Sequence, residues 1–312
     1  MTEFPWTAYK AVQFLFCEKE EKSMKRMMCL ILAAMMLLCL TACSNASPAP
    51  TGDNVPGSDN KILTVGMECA YAPYNWTQMD DSNGAVPIVN NPGMYANGYD
   101  VQIAKKIAEH YGWGIEVMAL EWGGLTPALE AGIIDVAIAG QSMTAERMAE
   151  VDMAGPYYYA TIVCLAKAGT PQAAATSISE LFGTCTSQSG TIWYDSCLPQ
   201  IAGADIQSPA ADAPAMIMAL ESGMVDFICT DLPTANGAVA KNPDLVVLNF
   251  SGTDGDFQFA SEAERAENVN IGVSVKKGNS QLQDMLNEFL ATMTEADFNR
   301  MMTDAIVVQP AI

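Results

Sequence analysis

The chain has 312 residues, of which 50% are hydrophobic and 16% are charged, and its formal net charge is −21 at pH 7. So large a negative charge repels nucleic acid and anionic lipid head groups, so neither is expected as a partner. The length suffices for one large domain or for two lobes with separate cores.

The N-terminal segment is typical of an exported protein. A short basic stretch, residues 24–26, precedes an apolar run, residues 27–40, which is too short for a comfortable transmembrane helix. Leu40-Thr-Ala-Cys43 follows and resembles the bacterial lipobox, which implies cleavage before Cys43 and attachment of a diacylglyceryl group to its sulfur. We therefore predict a signal peptide over residues 1–42, with Met24 as a candidate true start. An uncleaved signal anchor is the alternative.

The segment after the lipobox, residues 43–60, is rich in Ser, Pro, Gly and Ala and predicts a flexible tether. The cysteines beyond it are Cys69, Cys164, Cys185, Cys197 and Cys229. Their odd number prevents complete pairing, and their spacing shows no Cys-x-x-Cys metal pattern, so we expect neither a metal nor another cofactor. A Cys185–Cys197 disulfide stays open, although buried free thiols are favoured.

Hydrophobic periodicity predicts alternating strands and helices along the rest of the chain. An amphipathic helix is predicted over residues 99–111, and one long helical region over residues 280–302. The predicted strands are residues 63–66, 115–119, 135–139, 161–166, 183–187, 245–248 and 270–275.

A segment of the chain recurs 91 residues later. Residues 128–138 and 219–229 share an Ala-Leu-Glu-x-Gly sequence, two apolar residues, an Asp and a further apolar run. Each copy predicts the end of a helix, a glycine cap and a buried strand. In open α/β sheets ligands bind beyond the carboxyl ends of strands. The residues after the two strands, 140–147 and 230–231, are therefore expected to face one cleft.

Arg147 is the candidate receptor for an anion. It is one of three arginines after the predicted leader, and it follows a polar turn, residues 140–144. A guanidinium binds a carboxylate through two parallel hydrogen bonds, and nearby hydroxyl and N–H groups supply further donors. A surface arginine at the start of a helix is the alternative interpretation.

Several motifs together carry a family resemblance. They are Leu63-Thr-Val-Gly with Ala70-Tyr-Ala-Pro-Tyr74, Gly98-Tyr-Asp-Val, Leu125-Thr-Pro, Met143-Thr-Ala-Glu-Arg147, Pro156-Tyr-Tyr and Ser189-Gly-Thr191. Over residues 61–312 the chain resembles the bacterial extracellular solute-binding proteins of family 3, which feed amino acids to ABC importers. The resemblance implies an α/β fold of the periplasmic-binding-protein type II. Its two lobes, residues 61–160 with 268–312 and residues 161–267, would be joined by a two-strand hinge with a ligand cleft between them.

The resemblance also implies how the head group of an amino acid is bound. Arg147, Ser142 and the main-chain N–H of Thr191 would hold the α-carboxylate. The carbonyl of Gly140 and the carboxylate of Asp231 would hold the α-ammonium group. Two simpler roles stay open, because Asp231 could be a plain helix cap and Thr191 could cap a helix over residues 191–198.

The same resemblance implies a pocket for the ligand's side chain. Tyr71 and Trp122 would form its walls, although ordinary core aromatics are the alternative. Glu68 stands where family members that select cationic or amide side chains often have Asp, and a solvated carboxylate is its alternative. Residues 77–97 are longer than the hairpin usual in the family, and they could cover the cleft or shape a surface for a partner.

The resemblance implies a monomeric, non-catalytic lipoprotein that captures a free amino acid, polar or cationic, and delivers it to an ABC permease. It would lie outside the cytoplasm and contact the membrane only through its lipid anchor. A cyclohexadienyl-dehydratase-like enzyme on the same fold is one alternative, and it would need an acid or base such as Glu68 in the cleft. A ligand-sensing receptor is the other.

Overall fold

The computed structural model describes residues 61–310, so the predicted signal peptide, Cys43 and the tether lie outside the described residues. No helix in this range is long and apolar enough to cross a membrane. The predicted α/β fold of type II is confirmed: two five-stranded mixed sheets form the body, and a small four-stranded sheet lies beside the first of them. The lobe boundaries given above stay a prediction.

The strands are named in chain order. They are β1 (Ile62–Met67), β2 (Ala70–Tyr71), β3 (Asn75–Gln78), β4 (Val86–Pro87), β5 (Tyr95–Asn97), β6 (Gly114–Ala119), β7 (Val136–Ala137), β8 (Asp152–Tyr158), β9 (Ile162–Lys167), β10 (Phe182–Thr186), β11 (Gly203–Ile206), β12 (Phe227–Asp231), β13 (Leu245–Leu248) and β14 (Ile271–Val275).

The α-helices are named in the same way. They are α1 (Tyr99–Tyr111), α2 (Leu125–Ala131), α3 (Ala145–Glu150), α4 (Ala213–Glu221), α5 (Leu232–Lys241), α6 (Glu262–Val269), α7 (Ser280–Leu290) and α8 (Glu295–Val308). The predicted helix at residues 99–111 is thus confirmed. The prediction of one helical region over residues 280–302 is wrong, because Thr294 caps a new helix and forms a capping box with Asp297.

The first sheet has the strand order β6–β1–β7–β14–β8. Its strands β1, β6 and β7 are parallel, whereas β14 is antiparallel to β7 and to β8. All five residues of β14 are buried, as expected for a strand that is covered on both faces of its sheet. The chain leaves this sheet after β8 and returns to it with β14.

The second sheet has the order β11–β10–β12–β9–β13 and is built from the chain between these two crossings. Its β10, β11 and β12 are parallel, and β9 is antiparallel to β12 and β13. The sheet packs over a core that contains four cysteines, Cys164, Cys185, Cys197 and Cys229. The five cysteines of the described range are all buried free thiols, so Cys185 and Cys197 are not bridged.

The sequence repeat corresponds to one local structure that occurs in both sheets. Asp135, in the first copy, accepts a hydrogen bond from the N–H of Thr64 at 2.9 Å. Asp226, in the second copy, accepts the equivalent bond from the N–H of Thr184 at 2.8 Å. Each aspartate thereby fixes the strand that follows it, β7 or β12, against the neighbouring parallel strand. The repeated sequence therefore brings the ends of β7 and β12 to matching places in their sheets.

The longer segment, residues 77–97, packs along the outer edge of the first sheet. The N–H of Val89 donates to the carbonyl of Val117 in β6 at 2.9 Å, and the Asn90 amide exchanges two hydrogen bonds with the backbone of Ala119. The segment covers the edge strand β6, which protects its unpaired backbone groups.

Ile88 anchors this segment, and its side chain is 2% exposed. We expect Ile88→Ala to lower the free energy of unfolding by about 2–4 kcal/mol, because a buried side chain of this size leaves a cavity. The neighbouring Val89 is 43% exposed, so Val89→Ala serves as the control with a much smaller effect. Urea denaturation measures both changes. Equal effects would show that the segment does not dock through Ile88.

Candidate functional site

Arg147 lies in the first turn of the short helix α3. The helix begins there because the Thr144 hydroxyl accepts a hydrogen bond from the N–H of Arg147 at 3.1 Å. The guanidinium Nη1 donates to the carbonyl of Ser142, and Nη2 donates to the carbonyl of Gly190 at 3.3 Å. The guanidinium also lies 5.4 Å from the centre of the Trp122 ring. Arg147 therefore connects the loop after β7 to the loop after β10.

No carboxylate within residues 61–310 forms an ion pair with Arg147. Burial lowers the pKa of the guanidinium to about 10, an effect that the nearby Glu146 and Glu150 oppose. Arg147 is therefore still a cation at neutral pH. Within the described residues its side-chain donors reach only the neutral carbonyl groups of Ser142 and Gly190, so this half-buried cation is well suited to receive an anion.

A small inner cavity of about 10 Å³, with room for about one water molecule, lies beside Arg147. A wider groove, whose walls also include Trp122, Arg147 and Thr191, adjoins it. The inner cavity is lined by Tyr71, Trp122, Gly140, Ser142, Arg147, Gln188, Thr191 and Trp193. Six of the eight residues named from the sequence thus line one cavity, and none of residues 77–97 does.

The end of β7 brings backbone groups to the cavity. Gly140 follows this strand in a left-handed conformation, with φ of 63°. Its N–H donates to the hydroxyl of Tyr157 at 3.0 Å. A Cβ atom at Gly140 would lie 2.7 Å from the Tyr71 ring, so only glycine fits this close approach.

The loop after β10 supplies the opposite wall. The Thr191 hydroxyl donates to the carbonyl of Gln188 at 2.8 Å and caps no helix. The helix suggested for residues 191–198 is instead a π-helical turn, Trp193–Cys197, followed by a 3₁₀ turn, Leu198–Gln200. The alternative that Thr191 caps a helix over residues 191–198 is therefore wrong.

Asp231 lies at the end of β12 and does not line the cavity. Its carboxylate accepts hydrogen bonds from the hydroxyls of Tyr71 at 2.6 Å and Tyr74 at 3.3 Å. It also caps α5, because Thr234 donates to it from both its N–H and its hydroxyl, each at 2.9 Å. Burial raises the pKa of Asp231, and the bonds from Tyr71 and Thr234 oppose that rise. Asp231 is thus a helix cap that also contacts a cavity wall through Tyr71.

Glu68 also lies outside the cavity lining. Burial, with the charges of Asp212 and Asp100, raises its pKa to about 8. The Gln188 amide lies close enough to oppose this rise, yet among residues 61–310 neither Glu68 Oε2 nor Gln188 Nε2 completes a hydrogen bond. Gln188 is 3% exposed, so its amide is a buried polar group that faces the cavity without a partner.

Two cavity residues, Gln188 and Trp193, were not among the residues named from the sequence. Gln188 directly precedes the Ser189-Gly-Thr191 motif, and that position next to a candidate binding loop was a usable signal. Trp193 carried none, because an aromatic residue in a turn is more often part of the core, and its ring is 4% exposed.

The chain passes twice between two α/β sheets, and loops at the ends of their strands form a cavity. This arrangement defines a type II solute-binding fold. The chain belongs to family 3 of the bacterial extracellular solute-binding proteins, because residues 63–303 match the sequence model of that family. The family predicted from the sequence motifs is thus confirmed.

Two relatives and two solved structures illustrate this similarity. A probable histidine-binding protein of Campylobacter jejuni subsp. jejuni is 31% identical over 251 residues, which are 79% of this chain and 90% of the relative. The L-cystine-binding protein TcyJ of Escherichia coli K12 is 26% identical over 232 residues, or 74% of this chain and 77% of the relative.

An ancestral arginine-binding protein bound to arginine has a TM-score of 0.60 and 26% identity, covering 78% of this chain and 97% of its own. An ancestral amino-acid-binding protein, a precursor of cyclohexadienyl dehydratase, has a TM-score of 0.61 and 24% identity, covering 78% and 95%. This last similarity shows a shared fold.

Proposed function

We propose that this protein captures a free amino acid by closing the cleft over it and delivers the ligand to the permease of an ABC importer. The observation that carries the proposal is Arg147, a half-buried cation at a small cavity with no carboxylate partner among the described residues. The family and its amino-acid-binding relatives support it. Lipid attachment at Cys43 would hold the protein at the outer face of the membrane.

The α-carboxylate of the ligand would bind Arg147. Its guanidinium has five donors in a planar fork, and the Ser142 and Gly190 carbonyls use only some of them. Ser142 and Thr191 line the same cavity, and the Ser142 hydroxyl and the Thr191 main-chain N–H would supply further donors. Because Arg147 already reaches both loops, a carboxylate bound there would strengthen the contact between them.

The α-ammonium group would bind the carbonyl of Gly140 and the carboxylate of Asp231. The Tyr71 hydroxyl lies at the cavity wall and donates to Asp231, which does not itself line the cavity. An ammonium group would replace this neutral donor with a charged one, which gives a stronger hydrogen bond. Binding would therefore shift Tyr71, whose ring, together with Trp122, would then pack against the stem of the ligand.

The inner cavity, at about 10 Å³, is too small for an amino acid in this arrangement, so its walls would have to separate to admit the ligand before the cleft closes over it. Glu68 and Gln188 favour a polar or cationic side chain, because each has a buried polar atom that finds no partner in the described part of the chain. A ligand side chain that hydrogen-bonds these atoms would remove that cost, whereas an apolar side chain would leave it in place.

Gln188 provides a direct test of this preference. We expect Gln188→Leu to weaken binding of the preferred polar amino acid by about tenfold, because one buried hydrogen bond is lost. Binding of leucine or methionine should weaken less or improve, so the ratio of the two affinities is the internal control. Isothermal titration calorimetry measures both. A loss of equal size for polar and apolar ligands would argue against a side-chain role for Gln188.

The proposed function is tested by a thermal-shift screen of the purified protein against the common amino acids and cystine. We expect one or a few amino acids to raise Tm by a concentration-dependent amount, and the ligand to be recovered unchanged. If no amino acid raises Tm, the proposal fails. If prephenate or arogenate is converted to product, the protein is instead an enzyme on this fold.

A further inference from the structure

A second buried carboxylate, Asp100, lies behind the cavity. It stands in the first turn of α1 and is 0% exposed. Its Oδ1 accepts a hydrogen bond from the Tyr157 hydroxyl at 2.7 Å, and its Oδ2 accepts one from the Asn75 amide at 2.8 Å. No lysine or arginine in residues 61–310 pairs with it. These two side chains are therefore its main partners.

Each of these two side chains also accepts a hydrogen bond from the backbone of one loop near the cavity. The Tyr157 oxygen accepts a hydrogen bond from the N–H of Gly140 at 3.0 Å, and Asn75 Oδ1 accepts one from the N–H of Cys69 at 2.7 Å. Burial raises the pKa of Asp100 to about 7, and the hydrogen bonds from Asn75 and Tyr157 oppose that rise. In its ionised form the carboxylate can only accept, so it takes the hydroxyl proton of Tyr157 and one amide proton of Asn75. Because these protons point to Asp100, the oxygen of each partner is turned toward a backbone N–H group.

Both of these N–H groups belong to residues in a left-handed conformation. Gly140 has φ of 63°, and Cys69, which is not glycine, has φ of 56°. Such a conformation is uncommon for other residues and persists where the surroundings hold it. Cys69 lies between Glu68 and Tyr71, and Gly140 lines the cavity. The two bends that shape this side of the cavity are thus held through one buried carboxylate.

We infer that Asp100 is a positioning residue: through Tyr157 and Asn75 it holds the loops of Gly140 and Cys69 in the conformation that receives the ligand. The inference rests on the proposed function, because the Gly140 carbonyl is the proposed acceptor for the ligand's ammonium group. Asp100 does not itself line the cavity, so it acts only through its two partners. Loss of the connection through Tyr157 should release the Gly140 loop.

Tyr157→Phe tests the inference, because it removes one hydroxyl and keeps the buried ring. Tyr158→Phe is the matched control, since this neighbouring tyrosine is also buried and, among residues 61–310, the side-chain hydrogen bonds to Asp100 come from Tyr157 and Asn75 instead. For each variant we would measure Tm and the affinities for the best amino acid and for its α-hydroxy analogue. The analogue keeps the carboxylate and side chain but lacks the ammonium group.

We expect Tyr157→Phe to weaken binding of the amino acid by about tenfold and to weaken the analogue clearly less. A purely structural role would lower Tm and leave the ratio of the two affinities as in Tyr158→Phe, which would overturn the inference. Asp100→Asn should change the ratio in the same direction, and it replaces Tyr157→Phe if that variant does not fold. If the wild-type protein binds no amino acid, the proposed function and the inference fall together. An unchanged ratio in a wild type that does bind overturns only the inference.

Discussion

Replacing Arg147 with alanine is expected to weaken amino-acid binding by more than a hundredfold. In this variant the ligand's carboxylate would enter the cavity without the one cationic side chain that lines it among the described residues. Truncating one partner of a buried charge pair costs about 2–5 kcal/mol, and about 3 kcal/mol already corresponds to more than a hundredfold in Kd. Isothermal titration calorimetry with the best ligand from the screen measures the change.

Arg300→Ala is the matched control for this variant. Arg300 pairs with Asp297 at 2.8 Å on the surface, and 67% of its side chain is exposed, so its removal should leave Kd unchanged. Arg147→Lys should recover only part of the affinity, because an ammonium keeps the charge but loses the planar fork. If Arg147→Ala bound the ligand as tightly as the wild type, the carboxylate would have to bind elsewhere.

The second large effect is expected at Asp231, where asparagine should weaken binding by roughly thirtyfold, or about 2 kcal/mol. Asparagine keeps the size and an oxygen that can accept hydrogen bonds from Tyr71 and Thr234. It removes the negative charge that the ammonium group of the ligand would approach. The affinity of the α-hydroxy analogue of the ligand should change little, because that analogue has no ammonium group. Calorimetric titrations of both compounds measure the difference.

A change in Tm must be separated from this effect, because Asp231 also caps α5. Asp231→Ala should lower Tm more than Asp231→Asn, since alanine leaves the N–H of Thr234 and the Tyr71 hydroxyl unpaired in a buried place. If Asp231→Asn weakened the amino acid and its analogue equally, the cap alone would explain Asp231. The proposed contact with the ammonium group would then be wrong.

The fold was predictable because its defining signals are local. The repeated Ala-Leu-Glu-x-Gly segments each end in an aspartate, and Asp135 and Asp226 make the same hydrogen bond in both sheets. The short apolar runs identify the strands, and the motif around Arg147 lies where β7 and α3 meet. These features depend on neighbours in the sequence, which is why they could be read without the structure.

The site was predictable only in part, because its missing contacts join residues that are far apart in the chain. Tyr71 and Asp231 form a hydrogen bond although they are 160 positions apart in the sequence. The sequence around either residue does not indicate that bond. The same holds for Glu68 and Gln188, which approach each other from different sheets. Depth of burial, which decides their roles, follows from packing and not from the local sequence.

Two other differences have local causes that the periodicity of hydrophobic residues did not show. Thr294-Glu-Ala-Asp297 is a capping-box sequence, and it ends the apparent continuity of residues 280–302. The extra segment, residues 77–97, could have covered the cleft, but the hydrogen bonds of Val89 and Asn90 hold it along β6. Its buried Ile88 is a single apolar residue in a polar stretch, which gave no periodic signal.

The contacts across the cavity give the proposal its mechanism. Arg147 reaches the carbonyl of Gly190, and Tyr71 reaches Asp231, so both proposed head-group partners already take part in contacts between the segments that form the two sheets. A zwitterion that binds Arg147 and Asp231 at once would stabilise the closed arrangement more than the open one. Closure would then follow as a shift of population toward the liganded state.

A crystal structure of the protein with its best amino-acid ligand tests the central claim most directly. We expect the α-carboxylate on the guanidinium of Arg147 and the ammonium group on the Gly140 carbonyl and Asp231. The Tyr71 hydroxyl should have moved away from that carboxylate. A ligand outside the cavity lined by Tyr71 and Arg147, or one whose carboxylate does not contact Arg147, would contradict the account.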